Sequence, residues 1–305
     1  MKVYLAGVYT ANFDIGGNGF RRLTPAEQEK RASVKNILES FHYVKRKAFV
    51  AKMRKDGVKV FLDSGAFSAF TKGVDVDLPG YCEYIKENMD IIYVEDGDLC
   101  ASVLDGIGDP YKTYVNQLAM EKLGVRPLPC FHFGEDERYL EFYIANYRYI
   151  TIGGMVHVST GPLKVWLDRI WEKYLTKSDG TPKLKVHGFG LTTESLMERY
   201  PWFSVDSSSW VQMAANGAIL LPGYGCVFIS ARSPSAKCEG RHLDTIPQLQ
   251  REALVKLIEK SGFTVERLQH EYLSRWTHNL WAFGEYNNMK TPDQEKFIPD
   301  QIGLF

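Results

Sequence analysis

Apolar and polar positions along this chain switch repeatedly between two periods. Short apolar, β-rich runs occupy residues 2–7 (KVYLAG), 58–63 (VKVFLD), 91–94 (IIYV) with 101–107, 126–133 (RPLPCFHF), 149–154 (YITIGG), 183–190 (KLKVHGFG) and 203–208 (FSVDSS). Each is predicted to be a strand. Helical spacing fills the intervals. Residues 31–55 carry apolar positions at Val34, Ile37, Phe41, Val44 and Ala48 and stop at Gly57. Residues 111–123 stop at Gly124, and residues 162–175 begin at Pro162 with Leu163, Trp166, Ile170 and Tyr174 on one face. A short helix starts at Thr192 and ends before Pro201, and a Gly-rich loop covers residues 14–23. Beyond Asp206 the pattern loosens into a predicted hairpin at 215–231 and helices at 247–260 and 265–284. The second helix bears a stripe of Val265, Leu268, Tyr272, Trp276 and Leu280; the polar tail after Glu285 is expected to dock only loosely.

Strands alternating with helices imply parallel pairing through right-handed crossovers. Seven or eight such strands in one chain predict an α/β fold of the (β/α)8 TIM-type barrel class, and no GxGxxG loop follows the first strand to favour an open nucleotide-binding sheet. The expected organisation is a single barrel domain over 1–305: a core at about 1–215, then a small C-terminal hairpin and helical extension over 216–305. A chain with 45% hydrophobic and 24% charged residues can bury such a core. Lys+Arg and Asp+Glu both number 37, so any nucleic acid must find a local basic patch. No apolar run is long enough for a membrane span, no signal peptide is evident, and an odd number of scattered cysteines, 5, argues against a disulfide framework. The expectation is a cytoplasmic protein without membrane partners.

Barrel enzymes place reactive groups at the C-terminal ends of their strands. Asp63, Asp105, His132, the pair Gly153 and Gly154, Gly188 and Asp206 all fall at such ends. In DSGAF (63–67), a carboxylate, the free N–H groups of a Ser64–Gly65 turn and the ring of Phe67 are adjacent, a set able to hold a flat heterocycle. The same segment also reads as a helix-capping turn with Phe67 in the core. Arg21, Arg22, Lys45, Arg46 and Lys47, followed by Lys52, Arg54 and Lys55, form either a phosphate grip or a solvated helix face.

Several of these segments together resemble the tRNA-guanine transglycosylase superfamily. DSGAF is similar to that family's DSGGF, IGGMV (152–156) to its glycine-pair strand end, HGFG (187–190) to its MGVG, and THNL (277–280) to its zinc-ligand segment. SVDSSSWVQMAANG (204–217) resembles the nucleophile segment, with Asp206 ten residues before Asn216–Gly217. LDGIGDP (104–110) stands where the family has its base-recognising Asp, and FHFG (131–134) where it has a Gln-Gly segment. The matches run in the family's order over about residues 58–284 and are closest to the shorter DNA-guanine transglycosylase (DpdA) branch of phages and bacteria.

The resemblance implies exchange of guanine in DNA for a free 7-deazaguanine base such as preQ0, with tRNA as the alternative substrate and no cofactor needed for the chemistry. Asp206 would be the nucleophile and Asp63 the general acid–base. The base would be held by Ser64, Phe67, Asp105, His132, Gly153, Gly154, Met155, His187 and Gly188. The family's CxCxxC zinc cluster is absent. Either Cys226, Cys238, His242 and His278 form a structural zinc set, or that site is lost and leaves a core histidine. His270 and His278, about 12 Å apart along one helix, could not share an ion. Two readings of other classes stand beside this one: a metal-dependent barrel hydrolase using His132, His157 and His187, and a non-catalytic nucleic-acid-binding barrel.

Overall fold

The computed structural model describes residues 1–156, 158–191, 193–232, 239–287 and 295–299. Seven strands form one sheet: β1 (Lys2–Ala6), β2 (Ile37–Ser40), β3 (Val60–Asp63), β6 (Cys130–His132), β7 (Tyr149–Gly153), β8 (Lys185–Gly188) and β9 (Ser204–Ser207). β4 (Val94–Glu95) and β5 (Asp98–Leu99) make a minimal hairpin, and β10 (Ala218–Leu221) pairs with β11 (Gly225–Phe228) in another. The sheet order is β3-β2-β1-β9-β8-β7-β6, with every neighbouring pair parallel.

The sheet curls, giving a TIM-like α/β architecture. Its two edges approach the same intervening segment. Leu62 N donates to Cys100 O (2.9 Å) and Ser102 N to Leu62 O (2.9 Å) on the β3 side. Leu128 N donates to Ala101 O (2.8 Å) and Val103 N to Leu128 O (3.0 Å) on the β6 side. Successive side chains on a strand point to opposite faces. Tyr4, Leu38, Phe61, Cys100, Leu128 and Tyr149 accordingly pack together inside the curl. Val3, Leu5, Ile37 and Leu62 face outward into the larger core shared with the helices. The C-terminal extension has its own small core, in which Ile219, Val227, Leu254, Ile258 and Phe263 pack together.

Parts of the expected pattern need correction. The predicted helix over 31–55 contains a strand. A helix begins earlier, at Pro25, and ends at Ser33; β2 follows, and then helices Phe41–Val44 and Lys47–Lys55. Thr24 starts the first helix with a capping box: Thr24 Oγ1 accepts from Glu27 N, and the Glu27 carboxylate accepts from Thr24 N. Val34, Ile37, Phe41 and Val44 are buried by three different elements, so their helical spacing is coincidental; Ala48 is exposed. The strand expected near 101–107 is reduced to single bridges at Ala101 and Ser102. The helix over 265–284 breaks at the extended Glu271 into Val265–His270 and Tyr272–Glu285. The tail does dock through Phe297, which is buried beside Tyr200 and donates its N–H to Gly180 O. Among the described residues, no helix is long and apolar enough to cross a membrane.

Candidate active site

Parallel register brings the C-terminal strand ends side by side: Ser40 lies opposite Asp63, Tyr4 opposite Asp206, and His132 opposite Gly153. Asp63 ends β3 just before a left-handed Gly65 (φ +76°), where a Cβ would sit 2.4 Å from Ser40 Oγ and 2.5 Å from His42 Cβ. Only glycine fits there. Gly65 N donates to Asp63 Oδ2 (3.0 Å), and Ser102 Oγ accepts from Ser64 N (2.8 Å). Burial, reinforced by the charges of Asp105 and Asp206, pushes the Asp63 carboxyl up to about 7. A carboxyl titrating there can both give and take a proton near neutrality.

Asp206 is the penultimate residue of β9 and is buried, with Gly190 N donating to its Oδ1 (2.7 Å). His187 Nε2 approaches the same oxygen at 3.4 Å without forming a hydrogen bond. Behind it, His187 Nδ1 is 2.7 Å from Ser204 Oγ, and Ser204 Oγ is 2.6 Å from the Tyr149 hydroxyl. With the imidazole proton on Nε2, facing Asp206, the chain has one consistent direction: Tyr149 donates to Ser204 and Ser204 to Nδ1. The His187 ring is wholly buried, stacked on Phe61 (4.4 Å between centroids) and edge-on to Phe189. Burial lowers its pKa against the opposing pull of Asp206, so the ring is neutral at pH 7. His187 therefore supports Asp206 from beneath and does not line an open base face.

Asp105, Cys130, His132 and Glu135 make a second group. Cys130 and His132 share a face of β6 by the two-residue period. His132 Nε2 lies 3.4 Å from Asp105 Oδ2 and 3.4 Å from Cys130 Sγ. Nδ1 lies 2.8 Å from Glu135 Oε1, and His132 N donates to Glu135 Oε2 (3.0 Å). Burial works against a charge on His132, but Cys130 and Asp105 outweigh it and raise its pKa. Burial pushes the Cys130 thiol up to about 11. Asp105 Oδ1 is buried without a hydrogen-bond partner. Among the described residues, Asp105, Cys130 and His132 form the group with metal-ligating atoms in mutual reach.

The remaining expected residues divide. Gly153 and Gly154 sit in tight places. A Cβ on Gly153 would lie 3.0 Å from His132 Cδ2 and 3.1 Å from Cys130 Sγ; Gly154 has φ +70° and would meet Phe133 N at 3.0 Å. Ser64, Met155 and Gly188 are buried and shape walls without offering a side chain to a ligand. Phe67 is 54% exposed on helix Ala66–Thr71, so its ring is available for stacking and is not in the core. Lys45, Arg46 and Lys47 are exposed and follow the C-terminal end of β2, the end that carries Asp63. Arg21 is exposed and Arg22 pairs with Glu271 (3.4 Å).

The zinc set is not assembled. Cys226 lies exposed on β11. His242 is buried, its Nδ1 accepting from Asp244 N. His278 is wholly buried against the rings of Phe263 (4.8 Å) and Trp281 (5.5 Å), and burial depresses it to about 3. These three do not gather their ligand atoms, while Cys238 and His157 lie outside the described residues. A cleft of about 620 Å³ between helices Pro25–Ser33 and Tyr272–Glu285 is lined by none of the carboxylates above.

Sequence reasoning missed Glu135, Cys130 and the Tyr149–Ser204 support of His187. The pattern CxHxxE (130–135), a strand pair followed by a turn-back carboxylate, was the available signal. No protein-family model matches the chain, and no curated protein matches it.

Proposed function

We propose that this chain is a base-exchange transglycosylase that replaces guanine in DNA with a free 7-deazaguanine base. The observation that carries the reading is a pair of mutually interacting carboxyls in unlike settings. Asp63 is tuned to about 7, whereas Asp206 accepts a backbone N–H and faces a neutral imidazole. Such a split suits an acid–base group and a nucleophile in retaining glycosyl chemistry.

In the proposed reaction an Asp206 oxygen attacks C1′ of the target nucleotide while the bond from C1′ to the guanine nitrogen breaks. Asp63 gives its proton to the departing guanine. The incoming base then loses a proton to Asp63, and its nitrogen displaces Asp206 from C1′. The Asp105 carboxylate, whose Oδ1 lacks a donor, takes the N–H edge of the base, and Phe67 covers one face. The target must leave a duplex or be met in a single strand. Residues 100–103 serve in this reading as the eighth stave of a closed (β/α)8 barrel, which the hydrogen bonds to both β3 and β6 support.

The test incubates guanine-labelled DNA and guanine-labelled tRNA separately with the protein and preQ0. Release of label from DNA with uptake of preQ0, lost in Asp206→Asn by roughly 10³-fold or more, is expected. Release from tRNA alone would move the protein to the RNA-modifying alternative. A metal-dependent hydrolase is the second reading, favoured by the Asp105–Cys130–His132 group; it requires release without uptake.

A further inference from the structure

We infer that Asp105, Cys130 and His132 bind one divalent transition-metal ion of the zinc type at the C-terminal end of the sheet. The inference does not rest on base exchange, and the site is separate from the C-terminal cysteine and histidines considered above. Ligands bound at about 2.0–2.3 Å with tetrahedral angles lie roughly 3.3–3.8 Å from one another. His132 Nε2 stands 3.4 Å from Asp105 Oδ2 and 3.4 Å from Cys130 Sγ, and the three donor atoms all lie within 4.8 Å of one another. Both separations from His132 already match those of bound ligands, and the Asp105–Cys130 pair lies within the 4.8 Å limit.

The surroundings fit a ligand role for the imidazole. Glu135 grips His132 twice, accepting from its backbone N and standing 2.8 Å from Nδ1. A carboxylate on Nδ1 fixes the proton there and leaves the Nε2 lone pair for a metal, the usual outer support of a ligating histidine. Gly153 leaves room for the pair, because any Cβ would press on both His132 Cδ2 and Cys130 Sγ. A thiolate and a carboxylate together balance the charge of a divalent ion; the Cys130 proton and the Nε2 proton of the charged His132 ring are released to solvent as the metal bonds form. One sulfur, one nitrogen and one oxygen select zinc or cobalt over magnesium and calcium. Three protein ligands leave a fourth position for water or a substrate atom. Oδ1 of Asp105 stays outside this set, so the base-edge role given to it above is compatible with a metal on Oδ2.

The experiment titrates the chelator-stripped full chain with Co²⁺ and follows absorbance without any substrate. One equivalent should bind with tetrahedral d–d bands and a near-ultraviolet thiolate-to-cobalt band, and Zn²⁺ should displace it. Cys130→Ser should lose the thiolate band, and His132→Ala should lose stoichiometric binding. Glu135→Gln, which keeps all three ligands, should weaken affinity about 10–100-fold. It decides the matter if either ligand variant fails to fold. Absence of stoichiometric uptake, a thiolate band that persists in Cys130→Ser, or unchanged affinity in Glu135→Gln would each overturn the site. Metal uptake is read apart from base exchange, so failure of one reading leaves the other standing.

Discussion

At the scale of single residues, Asp63 has the clearest measurable consequence. Its folded pKa of about 7 lies above the ordinary carboxylate value near 4, so between those limits the folded state holds a proton that the unfolded state has lost. Stability therefore falls as pH rises from about 4 to 7, and the full cost of the buried charge is present above that window. Glu39, raised by burial to about 7, adds a term of the same sign. Asp63→Asn, neutral at every pH, is expected to be more stable than the wild type at pH 7.5 and no more stable at pH 4. Urea denaturation at the two values measures the difference; an equal effect at both would refute the assignment. Asp63, Asp105 and Asp206 were legible in the sequence because each follows an apolar run, and the ends of parallel strands gather on one side of the sheet. Glu135 was not, because its role depends on a turn that folds it back on His132. His187 was found but misplaced: an HGFG segment does not say which face of the strand is filled by Phe61.

At the scale of elements, the strands of four or five residues were legible where a turn or glycine isolated them. β2 was hidden, since four residues are too few to display a period and their apolar neighbours mimicked a helix. The Thr24–Glu27 capping box was a readable counter-signal. The segment 100–103 joins the two edges of the sheet through isolated bridges only. It is held on each side by two backbone hydrogen bonds, whereas β1 and β9 pair over four consecutive positions. Local opening follows such differences in pairing. Amides of Leu62, Ser102, Val103 and Leu128 should exchange hydrogen faster than those of β1 and β9 in native-state measurements. Equal protection would mean that packing, not pairing, governs this edge.

At the scale of the whole molecule, formal charge balances, yet Lys45, Arg46 and Lys47 stand together beside the end that carries Asp63. If these contact phosphates, each contributes roughly 0.9 to the slope of log affinity against log salt. Replacing all three with Ala should flatten that slope by about 2–3 for a DNA duplex while leaving stability unchanged. A slope equal to the wild type would reduce these residues to a solvated face. The α/β class and the parallel pairing of the strands were readable from the alternation of elements, because that alternation is a property of the entire chain and survives local errors such as β2. The tertiary grouping of Asp105 with Cys130 and His132 was not, because it joins segments whose meeting is set by the curl of the sheet.

The buried line from Tyr149 through Ser204 and His187 to Asp206 carries a last implication. All four members sit in a lumen otherwise filled by Tyr4, Phe61 and their aromatic neighbours, where water cannot replace a missing partner. Removing the Tyr149 or Ser204 hydroxyl strands the next polar atom of the line, at about 1–3 kcal/mol. Substitutions along this line should therefore register first as losses of stability, whatever Asp206 does chemically.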